Sequence, residues 1–187
     1  MTVADRARVV SDFARPFTLI APALGMASAA ATAIGARPAE VWSVGLLGPP
    51  LIGALMAAVL NVASNGLNQI FDLEIDRINK PARPLPSGRL SMGGAWAITI
   101  ASFALALVLA WTVAPGGRRE CFWIVVAATV ITTLYSVPPF RTKRLGIWAN
   151  LTVAIPRGVL LKVAGWSSVK SMMGFEPWFI GVLFGLF

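Results

Sequence analysis

Asn61–Arg89, NVASNGLNQIFDLEIDRINKPARPLPSGR, follows a long apolar run and carries Asn61, Asn65, Asn68, Asp72 and Asp76 at steps of four, three, four and four. At about 100° per residue these five side chains share one narrow helix face. Carboxylates at the end of a membrane helix are costly unless paired. The stripe itself holds no Lys or Arg, so a divalent cation with oxygen ligands is the simplest partner. Mg²⁺ favours one or two carboxylates completed by phosphate oxygens. An isolated DxxxD reads more readily as two acids in a solvated loop. The aligned asparagines upstream and the basic loop downstream favour a site.

The composition sets the surroundings. Of 187 residues, 57% are hydrophobic and 13% charged, against about 25% charged in a soluble domain. The mean hydropathy is +0.74. This describes an integral membrane protein. The net charge of +8, from 16 Lys+Arg against 8 Asp+Glu, reads as membrane topology rather than nucleic-acid binding. Cys121 is the single cysteine and His is absent, which excludes an internal disulfide, a CxxC metal site, a His-ligated metal and a Ser-His-Asp triad. The first apolar run is of full length and lacks a cleavage pattern, so it reads as a retained helix.

In chain order, residues 1–15 are polar and basic, ending in Arg15-Pro16. Helices are expected over Phe17–Gly35, from Val44 to the Asp motif, Gly94–Ala114, Cys121–Val137 and Leu145–Gly165, the last kinked at Pro156. The architecture is therefore an all-α, polytopic transmembrane bundle. It holds five full helices and, in the apolar run Trp178–Phe187, the start of a sixth. That run is shorter than the ~20 residues a bilayer requires, so residues 1–187 read as a single transmembrane domain, truncated at its C-terminus. Pro81, Pro84 and Pro86 keep the loop after Asp76 extended; it carries Arg77, Lys80, Arg83 and Arg89, and such a loop can lay several cations beside the carboxylates. A second basic loop, PPFRTKR, brings Arg141, Lys143 and Arg144. These loops and the N-terminus carry most of the cations, so the positive-inside rule puts them on the cytoplasmic side. For any single cation, topology alone is a sufficient role.

Helix five holds two further polar residues. Asn150 and Arg157 are seven apart and share a face, and an arginine within a span usually faces a cavity. The plainer role for Arg157 is bonding to carbonyls freed by Pro156. Lys162 lies close enough to the helix end to snorkel. Tyr135 is either an interfacial anchor or a polar handle directed into the site. Metal-binding carboxylates, cations on the same side and an apolar bundle together suit a molecule with a diphosphate head and a hydrocarbon tail.

These residues also resemble a known family. Asn68-Gln69-Ile70-Phe71-Asp72 through Asp76, then Asn79-Lys80-Pro81 and Ser87-Gly88, is similar to the first Asp-rich motif of the UbiA-type intramembrane prenyltransferases. YSVPPFRTKR (Tyr135–Arg144) and RGVLLKVAG (Arg157–Gly165) resemble the homogentisate phytyl- and solanesyltransferase branch, and RPLPSGR resembles chlorophyll synthases. The resemblance covers most of residues 12–180. It implies a nine-helix bundle around a central cavity, two Mg²⁺ ions, and transfer of an isoprenoid from a prenyl diphosphate to an aromatic acceptor among membrane lipids. It assigns Asn68, Asp72 and Asp76 to the metal and diphosphate, with Asp72, Asp76, Tyr135 and Lys143 as the catalytic set. Asn65, Arg15, Arg83, Arg141, Asn150 and Arg157 complete the substrate-binding candidates. A homogentisate-like acceptor is favoured, with a chlorophyllide or another quinone precursor as alternatives.

One departure stands out. The family carries a second Asp-rich motif on a later helix, and here only Glu120 and Glu176 follow Asp76. Truncation accounts for the gap and implies that residues 1–187 alone are inactive. A transporter or channel subunit is the competing class, but it would spread its acids through the bilayer depth. A CDP-alcohol phosphotransferase would need a DG-containing Asp pattern that is absent here.

Overall fold

The computed structural model describes residues 2–186. Among these, four helical segments are long and apolar enough to cross a membrane: Pro16–Gly35, Val44–Phe71, Met92–Thr112 and Ile147–Ser167. Two shorter apolar helices, Glu120–Ser136 and Phe175–Gly185, pack among them. The chain is all-helical, and the expected spans recur with ends shifted by a few residues.

The elements are α1 (Val3–Ala14), α2 (Ile20–Gly35), α3 (Gly48–Phe71), α4 (Leu73–Asn79), α5 (Met92–Thr112), α6 (Glu120–Ser136), α7 (Ile147–Ala154), α8 (Leu161–Ser167) and α9 (Phe175–Gly185). Helix α1 was not anticipated, because its polar and basic composition masks an amphipathic pattern. Thr2 caps it, and Val9 and Phe13 turn inward. Phe13 then packs with Ile70, Leu85 and Ala95. Leu85 belongs to the proline-spaced loop, so this cluster fixes the loop against the end of α3.

Small residues allow the membrane helices to approach closely, as expected where lipid supplies no hydrophobic drive between them. A side chain at Gly66 on α3 would overlap Thr99 of α5, and one at Gly165 on α8 would overlap the Met26 carbonyl of α2. Met26, Met56, Ile124, Val125, Leu160 and Ala164 belong to the largest apolar cluster, beneath the polar end.

Two expectations fail in the last long span. Pro156 does not produce a simple kink; Ile155–Leu160 forms a π turn between α7 and α8. A wider turn breaks the seven-residue register that would align Asn150 with Arg157. Asn150 is exposed, and its side chain makes no hydrogen bond among the described residues. Lys162 does not snorkel either. It is 4% exposed, with its Nζ 2.6 Å from Ser28 Oγ on α2.

Candidate active site

The helix carrying the Asn/Asp stripe is not continuous. It stops at Phe71 and resumes at Leu73, with Asp72 between at φ −104°, ψ 11°. This break divides the expected single face. Asp72 turns toward the second basic loop: Lys143 Nζ donates to its Oδ1 at 2.6 Å and Arg141 Nη2 at 3.2 Å. Asp76, 4% exposed, turns toward the first. Arg83 Nη1 lies 2.5 Å from its Oδ2, and Lys80 Nζ 4.0 Å from its Oδ1. Each carboxylate therefore has its own pair of cations, one pair from each loop.

The backbone contributes to this placement. Arg15 and Arg141 are non-glycine residues in the left-handed region, at φ 59° and 39°. Such conformations cost on the order of 1–3 kcal/mol and concentrate at functional sites. Arg141 also donates through Nη2 to the Phe71 carbonyl at 2.6 Å, satisfying an acceptor left open where α3 ends. Its Nε is buried without a partner among the described residues. Arg15 lies across an open groove with Asp12, Lys80, Arg83 and Arg89. Burial first, and then the Arg83 charge, lowers its pKa.

The asparagines separate by role. Asn65 Nδ2 donates to the Ala14 carbonyl at 3.1 Å and to Thr18 Oγ1 at 2.9 Å, and Asn61 Nδ2 donates to the Thr18 carbonyl at 3.0 Å. Their amides thus hold the corner between α1 and α2. Asn68 alone of the three faces the cavity lined by Tyr135, and its Oδ1 accepts from Ser136 Oγ at 2.6 Å. Sequence reasoning overlooked Gln69 and Ser136. Gln69 is 2% exposed and donates to the Phe13 carbonyl at 2.8 Å, tying α1 to the site. The one available signal was the placement of a glutamine inside an apolar helix.

Two cavities meet below the carboxylates. The first, about 190 Å³, is lined by Asn68, Tyr135, Thr152 and Arg157. The second, about 240 Å³ and largely apolar, runs from Thr18, Asn61 and Arg157 to Gly25, Leu161 and Phe184. Arg157, Ser64, Thr132 and Pro156 border both. Arg157 Nη2 reaches Asn61 Oδ1 at 3.3 Å rather than the carbonyls near Pro156. Asn150 lines neither cavity.

The donor set can be weighed against Mg²⁺. Asp72, Asp76 and Asn68 offer oxygen ligands, as the ion requires. The Asp72 side chain is 27% exposed, and the unpartnered Arg141 Nε beside it calls for a further acceptor. Among the described residues no group of three His, Cys, Asp or Glu comes together. These residues therefore fit part of a coordination shell that an anionic ligand would complete.

A helical membrane bundle with two cation-braced carboxylates at one end and an apolar chamber beneath them defines an integral membrane protein. The chain belongs to the UbiA prenyltransferase family, whose profile matches residues 17–187. It is 35% identical over 155 residues to a probable homogentisate phytyltransferase 1 of Oryza sativa subsp. japonica, covering 81% of this chain and 37% of that protein. It is 36% identical over 124 residues to the bacteriochlorophyll synthase 33 kDa chain of Cereibacter sphaeroides, covering 65% of this chain and 38% of that one. Among solved structures, a UbiA homologue from Archaeoglobus fulgidus bound to GPP and Mg²⁺ superposes with a TM-score of 0.71 at 25% identity, over 87% of this chain and 54% of that one. The chain thus spans less than two-fifths of the length of these curated relatives.

Proposed function

We propose that this protein is a Mg²⁺-dependent prenyltransferase that moves an isoprenoid chain from a prenyl diphosphate to a homogentisate-like aromatic acceptor within the membrane. The observation that carries this reading is Asp72, braced by Lys143 and Arg141 above an apolar chamber. In the reaction the allylic carbon–oxygen bond breaks and its electron pair leaves with the diphosphate. A ring carbon of the acceptor supplies the pair for the new bond and then loses its proton.

Asn68, Asp72 and Asp76 would hold Mg²⁺, which when bound neutralises charge on the diphosphate. Lys143 and Arg141 supply donors beside Asp72, where negative charge grows as the bond stretches. Such donors stabilise the transition state more than the ground state. Arg83 and Arg15 hold the outer phosphate from the groove side, and the apolar chamber receives the tail and keeps water from the allylic carbon. Tyr135, facing the smaller cavity, orients the acceptor.

The test uses membranes containing the protein expressed from its complete reading frame, supplied with Mg²⁺, a panel of prenyl diphosphates, and homogentisate, a chlorophyllide or another quinone precursor. Prenylated homogentisate is the expected product. Transfer to the chlorophyllide alone would favour the chlorophyll synthase branch, to which the 36% identity with the bacteriochlorophyll protein also points. Absence of transfer to every acceptor would refute the proposal. The basic loops are assigned to the cytoplasmic side. In a Cys121→Ser background, Arg83→Cys and Thr142→Cys should label from the same, cytoplasmic face.

A further inference from the structure

Lys162 is a buried charge that the proposed chemistry leaves unused. Its Nζ donates to Ser28 Oγ at 2.6 Å and approaches the Gly25 carbonyl at 3.4 Å, both on α2. It also stands 3.6 Å from the centroid of the Phe184 ring on α9. No carboxylate lies within ion-pair distance of it among the described residues. Gly25, Phe184 and the adjacent Leu161 line the apolar chamber, as do Met56, Ile124 and Ala164, and Gly25 is the deepest of the lining residues on α2. The near end is bordered by Thr18, Asn61 and Arg157. Thr18 and Gly25 are seven residues apart, which places the floor about 10 Å deeper along α2.

Leu161 at this end and Met56 in the same lining could yield to a longer tail by changing rotamers. An ammonium held in this way cannot. A hydrocarbon tail offers no lone pair to replace Ser28 and Gly25, and moving Lys162 off them would leave an unpaired charge in an apolar interior. Attraction between the ammonium and the ring face holds Phe184 in the same arrangement. The contacts therefore join α2, α8 and α9 into a fixed wall opposite the carboxylates.

We propose that Lys162, by locking Phe184 to Gly25 and Ser28, ends the chamber and sets the length of hydrocarbon tail that it admits. This inference rests on the prenyl-transfer reading, because it takes the tail to enter from the end bearing Asp72.

The test compares farnesyl, geranylgeranyl and solanesyl diphosphates in the wild type and in Lys162→Ala, Lys162→Met and Phe184→Ala, all from the complete reading frame. Two readouts are used: kcat/KM for transfer, and thermal stabilisation by each diphosphate, which needs no turnover. Lys162→Ala and Phe184→Ala should shift the preference toward a longer donor by at least about tenfold, the discrimination a single methylene can produce in an apolar pocket. Lys162→Met keeps the bulk but loses the lock, so it should broaden the preference without moving its optimum as far. Phe184→Ala leaves the buried lysine in place and reports on the floor even if a Lys162 variant fails to assemble. An unchanged length preference in Phe184→Ala and in the Lys162 variants that assemble would overturn the inference. A wild type that is stabilised selectively by one tail length yet transfers none would instead defeat the prenyl-transfer reading.

Discussion

The two ends of the chamber hold their cations in opposite ways. At the mouth, Arg83, Arg141 and Lys143 are each hydrogen-bonded to a carboxylate. At the floor, Lys162 has only neutral oxygens and an aromatic ring. An incoming diphosphate can exchange with the carboxylates at the mouth without leaving a cation bare. No hydrocarbon can make that exchange at the floor. The difference separates an end whose partners an anion could replace from an end whose partners a hydrocarbon could not.

The largest expected effect breaks the mouth. Asp72→Asn keeps an oxygen acceptor for Lys143 and Arg141 but removes the charge that would bind metal, so the protein should fold while turnover falls about a thousandfold. Full Mg²⁺-dependent activity in that variant would detach the chemistry from this end of the bundle. Lys143→Ala should lower kcat about a hundredfold with a modest change in KM for the prenyl diphosphate. An unchanged kcat combined with inverted insertion, read by cysteine labelling, would reduce Lys143 to a topology signal.

A smaller effect is expected at Asp76. Its side chain is 5% exposed and that of Arg83 is 22% exposed, so Arg83→Ala leaves a buried carboxylate with only the distant Lys80. Removing one partner of such a pair costs about 3 kcal/mol. The loss should appear as a lower Tm and as protease sensitivity in residues 80–90, with membrane insertion unchanged. Equal Tm values would show that the cluster of Phe13, Ile70, Leu85 and Ala95 docks the loop unaided.

The sequence made the mouth more legible than the floor, for a physical reason. Carboxylates at helical spacing beside proline-spaced cations are conspicuous in an apolar chain, and the loops do bring Lys80 and Arg83 to Asp76 and Arg141 and Lys143 to Asp72, whereas Arg89 pairs with Asp12. The division of the stripe could not be read, because Asp72 leaves the helical region without a proline or glycine to announce it. Asn61 and Asn65 carried the same apparent signal as Asn68, yet their amides secure backbone at Ala14 and Thr18. Spacing cannot distinguish an amide that faces a ligand from one that faces a neighbouring corner. Lys162 was misread because snorkelling is judged along one helix, whereas Ser28 and Phe184 arrive from two others. Asn150 was misplaced because Pro156 indicates a disturbance in the helix but not that it takes the form of a π turn.

The smallest effect tests the cap at the start of α1, the helix whose last turn packs beside the mouth. The Thr2 backbone N–H donates to Asp5 Oδ2 at 2.8 Å, and the Asp5 N–H donates to Thr2 Oγ1 at 3.1 Å. The Thr2 backbone bond, followed by its side-chain bond, holds the Asp5 carboxyl below its ordinary value of 3.8. A lowered folded-state pKa gives a contribution that is complete above 3.8 and disappears as the pH falls through the folded value. Amides in the first turn of α1 should therefore lose hydrogen-exchange protection on acidification through that window, and Thr2→Ala, which keeps the backbone donor but loses the hydroxyl, should shrink the step. At the other end of the helix Arg15 keeps its charge throughout, since even a lowered arginine pKa lies far above this range. Gln69 and Phe13 hold that end without a titrating group. Acid should thus loosen the first turn of α1 while its last turn stays docked. If both ends loosened together, α1 would depend on its cap for docking, and the mouth would be less firmly built than its buried contacts require.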